Sequence, residues 1–244
     1  MTPNQYATKA VTALKQSADP RVASQFMKYF KPHEKIQVLG VSTPAVRKIE
    51  KHLAGQVLRI WGVKDAIACC DLLLKSRFLE CRAVGLLTLS RFREAFPRNL
   101  VDRVESWFMT GRCDNWASCD SMCGSVLAPL LFKYPDILQK LNSWTSSDCL
   151  WLRRAAAVSL TPLAKKGLYL DEAFRIASAL LGDTEDLIHK ATGWLLREAG
   201  KTDEQRLESF LLAHGPQVPR TALRYAIERL GPHRRAFVLS QTKR

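Results

Sequence analysis

The chain has 244 residues, 47% of them hydrophobic, which is enough apolar surface to bury a core and to exclude a disordered chain. Lysine and arginine number 37 against 23 aspartates and glutamates, giving a net charge of +14 and a pI of about 9.7. A negatively charged partner is therefore expected, with nucleic acid ahead of a membrane surface.

No apolar run approaches the roughly 18 residues of a membrane span, and the start MTPNQYATKAVTALKQ lacks a signal-type apolar segment. The seven cysteines are odd in number and fall among helix-forming residues, unlike a secreted disulfide framework. These features predict a soluble, cytoplasmic monomer, nucleoid-associated if bacterial, with no metal, cofactor or nucleotide.

Taken in chain order, residues 1–20 read as an N-terminal helix cap. TPAVRKIEKHL follows as a helix, with Thr43 and Pro44 as its N-cap and first residue, a pair that presents backbone N–H groups. Asp65, Asn99, Asp136, Asp171 and Asp203 then open five apolar-periodic segments, each joining a capping side chain to three-and-four spacing. These starts lie 34, 37, 35 and 32 residues apart, a period that marks an array of helix pairs. Strand signals are scarce. The prediction is an all-α, right-handed solenoid of about six HEAT-like helical hairpins, one domain over 1–244 with a concave basic groove and a flexible tail over 236–244.

The second helix of each pair repeats a basic residue ahead of small and apolar ones. Arg82 to Arg154 is 72 residues, twice the 36 that separate Arg154 from Lys190. Arg47 fits one repeat earlier and Arg220 one later. Together they form a predicted positive track; the alternative is helix-start charges paired with neighbouring acids. The missing member falls near position 118, where the repeat reads DNWASCDSM.

That break holds the candidate chemistry. Trp116 and Asp120 are four apart, on one helical face. Trp194 lies four beyond Lys190; its spacing fits the core, but Leu195 and Leu196 can fill the core in its place. Two indoles flanking a carboxylate would suit a group that is cationic or becomes so. Taken alone, an Asp120 paired with Arg154 or serving as a polar cap, and a core Trp116, are the more ordinary readings. Arg197 and Lys201, at i and i+4, can share a face with Trp194, and His189 is a further possible DNA contact. The five histidines, including His33, show no ligand or triad pattern, and the cysteines at 113, 119 and 123 lack a zinc spacing.

Four blocks, GVSTPAVRKIEK (40–51), DNWASCDSM (114–122), LWLRRAAAVSL (150–160) and HKATGWLLREAGKTD (189–203), give the chain a resemblance to the DNA alkylation repair family, the AlkD-like HEAT-repeat alkylpurine DNA glycosylases. The resemblance covers about residues 20–235. It implies hydrolysis of the N-glycosidic bond of N3- or N7-alkylated purines in duplex DNA, with the flipped base left unburied. It implies that Asp120 stabilises the oxocarbenium ion and that Trp116 and Trp194 hold the sugar and backbone, all three being catalytic. Arg154 is implied as a phosphate contact, and Arg47, Thr43, Lys190, Arg197, Lys201 and Arg220 are expected to bind DNA around it. A family relative that reads damaged or branched DNA without cutting it, and a HEAT scaffold for proteins, are the alternatives.

Overall fold

The computed structural model describes residues 1–31 and 36–243; His33 lies outside them. Among the described residues the fold is all-α, with one isolated β-bridge, between Gln37 and Phe78, and no strand. Among the described residues no helix is long and apolar enough to cross a membrane. The chain divides into two compact units, Met1–Pro129 and Leu130–Arg244.

The first unit contains α1 (Pro3–Gln16), α2 (Pro20–Met27), α3 (Thr43–Gly55), α4 (Val63–Leu74), α5 (Leu79–Ser90), α6 (Leu100–Met109) and α7 (Trp116–Met122), followed by a π-helical stretch, Cys123–Leu127. Helix α4 packs on its hairpin partner α5 and on α1, while α3, α5 and α7 pack in succession. Helix α8 (Ala128–Lys133) carries the chain onward. In the second unit α9 (Leu138–Trp144) precedes α10 (Leu150–Val158), α11 (Thr161–Ala164), α12 (Leu170–Leu180), α13 (Asp186–Gly200), α14 (Glu204–His214), α15 (Arg220–Ala226) and α16 (Pro232–Gln241). There α9 packs on α12, while α10, α13 and α15 pack in succession. Within each unit, first helices stack on first helices and second on second, as repeated hairpins must if each is to bury the apolar face it cannot cover alone.

An arginine ladder joins successive first helices. The Asp71 carboxylate accepts from Arg103 Nη1 and from Trp107 Nε1, both at 2.7 Å, linking α4 to α6. Asn142 accepts from Arg175, Asp171 accepts from Arg206 at 2.6 Å, and Glu204 accepts from Arg234. Sequence separations of 32, 33, 35 and 30 residues place each rung one repeat apart.

Several expected helix starts move. Asp203 does cap α14, accepting the Arg206 N–H at 2.9 Å. Asp65 instead sits inside α4, where its carboxylate accepts the N–H of the N-cap residue Gly62 at 3.0 Å. Asn99 precedes α6 without a side-chain cap bond, Asp136 lies in a 3-10 turn ahead of α9, and Asp171 is in the first turn of α12. Ser42, rather than Thr43, is the N-cap of α3, with Thr43 its first residue and Pro44 its second. The expected tail over 236–244 is helical through Gln241, since Pro232 starts α16 and Val238 and Thr242 are buried.

Candidate nucleic-acid interface

In the first unit, the DNW sequence builds its own platform. Arg82 reaches from α5, donates through Nη1 to Asp114 Oδ1 at 2.5 Å and through Nε to the Ser76 carbonyl at 2.7 Å. Asn115 then caps α7, its Oδ1 accepting the Ser118 N–H at 2.9 Å. The first helical residue is thereby fixed as Trp116, and Asp120 follows one turn later on the same face. Both side chains are half-exposed. The Trp116 indole stacks on Phe30, with centroids 5.0 Å apart and planes 23° apart, which holds its orientation.

A second group of first-unit residues stands beside α7. Thr43 and Arg47, both exposed on α3, border a cavity that Ala117, Ser118 and Ser121 of α7 also line. Arg47 makes no ion pair or hydrogen bond among the described residues. The loop ahead of α3 is pinned by a residue that sequence reasoning missed: buried Glu80 accepts the N–H groups of Leu39, Gly40 and Val41 at 2.8 to 3.2 Å. Gly40 is required there, with φ +83° and the Asp19 carbonyl 2.1 Å from where a Cβ would sit. An acidic residue ahead of CRAVGLL was the available signal.

In the second unit, α13 carries Lys190, Trp194, Arg197 and Lys201 at its C-cap. Leu195 and Leu196 are fully buried while Trp194 remains half-exposed, so the leucines take the core and leave the indole to the surface. The cations are largely engaged by acids. Lys190 pairs with Asp186 at 2.8 Å, a hydrogen bond that raises its pKa. Arg197 bonds Glu228 at 2.5 Å and Glu198 at 3.3 Å, and Lys201 bonds Glu198 at 2.5 Å. Arg220, at the start of α15, is exposed, and its side chain makes no ion pair or hydrogen bond among the described residues.

Arg154 departs most from its expected role as a phosphate contact. It is only 5% exposed, and Nη1 donates to the Leu187 carbonyl at 2.6 Å in the first turn of α13. Arg82 likewise is 8% exposed. The repeated basic residue of the second helices is in both cases a clamp onto the next repeat, which explains its recurrence near helix N-termini despite the opposing macrodipole. His189 Nε2 donates to the Asp183 carbonyl at 2.6 Å. Among the described residues, no three His, Cys, Asp or Glu side chains are grouped to hold a metal ion. Burial pushes the Cys69 thiol up to about 12 and raises Cys70 and Cys113 as well, so these sulfurs pack as apolar atoms.

Stacked helical hairpins, a basic composition, and a half-exposed indole and carboxylate on α7 with a half-exposed indole on α13 are the features the fold presents. The family described as DNA alkylation repair enzyme matches residues 10–230, and the chain belongs to it. Its role therefore lies in DNA repair. Among solved structures, a predicted DNA alkylation repair enzyme from Enterococcus faecalis is similar in fold, with a TM-score of 0.75 at 18% identity, covering 88% of this chain and 98% of that one. No curated protein matches the chain.

Proposed function

We propose that the protein is a monofunctional DNA glycosylase that hydrolyses the N-glycosidic bond of N3- or N7-alkylated purines in duplex DNA, without metal or cofactor. The observation that carries this reading is the α7 platform: a carboxylate and an indole one turn apart on a half-exposed helix face, oriented by the Asn115 cap and the Phe30 stack.

An alkylated purine already bears a positive charge, so it leaves with the C1′–N electron pair as a neutral base and needs no general acid. The barrier lies in the cation that develops on the deoxyribose. A fixed carboxylate aimed at developing charge lowers such a barrier by several kcal/mol where water is partly excluded. Asp120 takes this role and orients the water whose oxygen bonds to C1′, the proton passing to solvent. Trp116 holds the sugar and backbone beside it, and Trp194 of the second unit offers DNA a further aromatic surface. Arg47, Thr43 and Arg220 supply phosphate contacts from exposed positions. Lys190, Arg197 and Lys201 contribute to binding through the share of their charge that their acidic partners leave. Arg154 acts by positioning α13.

Release of 3-methyladenine or 7-methylguanine from methylated duplex DNA tests the reading. Asp120→Asn is expected to slow release by about 10²-fold or more, the loss typical of removing one preorganised electrostatic contact, while duplex binding is retained. Trp116→Ala should lower the rate more than the affinity. Undiminished release by Asp120→Asn would overturn the assignment.

A further inference from the structure

Between Val41 and Lys64 the chain carries Arg47, Lys48, Lys51, Arg59 and Lys64 against a single acid, Glu50. That acid offsets none of them at the surface. Glu50 is buried, and its carboxylate accepts from Arg91 Nε and Nη2, both at 2.6 Å. The five cations are all exposed, and their side chains make no ion pair or hydrogen bond among the described residues. On α3, Arg47 and Lys51 stand one turn apart with Lys48 beside them, while Val46, Glu50, Leu53 and Ala54 turn to the core. Arg103, Arg175, Arg206 and Arg234 are spent between repeats, so α3 holds charge that the fold itself does not use.

This cationic face ends in an apolar tip. In the turn from α3 to α4, Leu58 is 40% exposed and Ile60 71%, with Arg59 between them. The turn is firmly mounted. Val57 is fully buried and its carbonyl accepts the N–H groups of Ile60 and Trp61, both at 2.8 Å. Buried Trp61 in turn donates its indole Nε1–H to the Met1 carbonyl at 2.9 Å. Neither the charge nor the aliphatic pair identifies a partner alone; their coincidence does. A helix that lies on a membrane turns its own apolar face outward, whereas that of α3 is in the core. A protein interface needs about 800 Å² on each side around a largely apolar centre, far more than two side chains provide. A DNA minor groove takes what is present: one or two aliphatic wedges at a base step, an arginine in the groove, and lysines on the flanking phosphates.

We infer that the turn between α3 and α4 is a minor-groove wedge, in which Leu58 and Ile60 open a base step and kink the duplex while Arg47, Lys48 and Lys51 hold the phosphates that lead to it. Arg47 shares a lining with Ala117 and Ser121, which directly follow Trp116 and Asp120 in α7. A rise of about 1.5 Å per residue from Arg47 to Arg59 puts the tip about 18 Å further on, or about 5 base pairs along a duplex at about 3.4 Å each. The kink therefore falls to one side of the α7 platform and leaves the groove there open. The wedge rests on the role in DNA repair, not on the glycosylase reading.

An undamaged duplex of about 20–30 base pairs, labelled at its two ends with a fluorescence-transfer pair, tests the wedge with the full-length protein. Saturating native protein is expected to raise the transfer, as the ends approach through a bend of at least about 20°. Leu58→Ser combined with Ile60→Ser should remove the bend and keep the slope of log affinity against log salt. Lys48→Ala combined with Lys51→Ala should reduce that slope by up to about 1.8, at about 0.9 for each phosphate. Unchanged transfer with native protein, or an equal bend in the serine variant, would overturn the wedge. So would binding of native protein to phosphatidylglycerol vesicles that the serine variant loses. An unchanged slope in the lysine variant would overturn the phosphate row that leads to the tip. Because the duplex carries no lesion, the two readings separate. Protein that bends DNA but releases no alkylated base sinks the glycosylase reading only, and protein that releases base without bending DNA sinks the wedge only.

Discussion

At the scale of single residues, Glu198 shows how the α13 cations are organised. Burial pushes its carboxyl upward, yet the Lys201 ammonium and the Arg197 guanidinium outweigh that and hold its pKa below the ordinary carboxylate value. A carboxylate whose pKa is lowered by folding stabilises the native state above the unfolded pKa, about 4.3 for glutamate, and loses that contribution as the pH falls through the lower folded value. Native protein should therefore lose stability on acidification below about pH 4.3, in part through this group. Glu198→Gln is expected to cost about 1–3 kcal/mol at neutral pH, the range for a hydrogen-bonded charged group, and to flatten the pH dependence in that window. Thermal melts from pH 7 downward read both effects; an unchanged neutral midpoint with an unchanged acid slope would contradict the assignment. The same variant frees Arg197 and Lys201 from an acid, so it should tighten rather than weaken duplex binding.

At the scale of helices, α13 and α15 of the second unit meet with little room between them. A Cβ on Gly193 would lie 2.4 Å from the Ala222 carbonyl oxygen and 2.6 Å from Tyr225 Cβ. Gly193→Ala gains about 0.5–1 kcal/mol of helix propensity but forces two backbones apart, and overpacking of that kind costs about 1–3 kcal/mol, so the net effect is destabilising. Gly124→Ala is the control, since an added methyl meets nothing within 4 Å there. Chemical denaturation should lower the midpoint for Gly193→Ala and leave it unchanged or raised for Gly124→Ala. Much at this scale was legible in the sequence. The 32- to 37-residue period located the first helices, and the break near 118 fell on α7. Boundaries were less legible, because Asp65 and Asp171 serve equally well in a first turn as at a cap, and only backbone conformation distinguishes the two. The arginine ladder was invisible for another reason: its rungs lie 30 to 35 residues apart, and nothing in one repeat marks which acid the next repeat will engage. The aromatic half of the candidate site was legible through the flanking leucines that free Trp194. The Phe30 support of Trp116 was not, because the pairing spans most of a unit.

At the scale of the whole molecule, the net charge of +14 is the quantity that DNA meets first, but its parts are not equivalent. Arg82 and Arg154 are buried clamps, and Arg103, Arg175, Arg206 and Arg234 are rungs between repeats. A cation already neutralised within the fold releases no counterion from a phosphate, whereas an exposed unpaired one does. Removing one cation from a phosphate should reduce the slope of log affinity against log salt by about 0.9 for duplex DNA. Arg47→Ala and Arg220→Ala are therefore expected to flatten that slope, each by up to about 0.9, at nearly native stability. Arg82→Ala is expected to leave the slope unchanged and to lower stability by about 1–3 kcal/mol, because it strips Asp114 and the Ser76 carbonyl of their shared donor. Binding isotherms between 50 and about 200 mM salt, paired with melts of each variant, separate the two classes. A slope change for Arg82→Ala equal to that for Arg47→Ala would mean that the clamp opens to reach the phosphate backbone, and that the basic residues of the second helices act as the continuous track their spacing predicts.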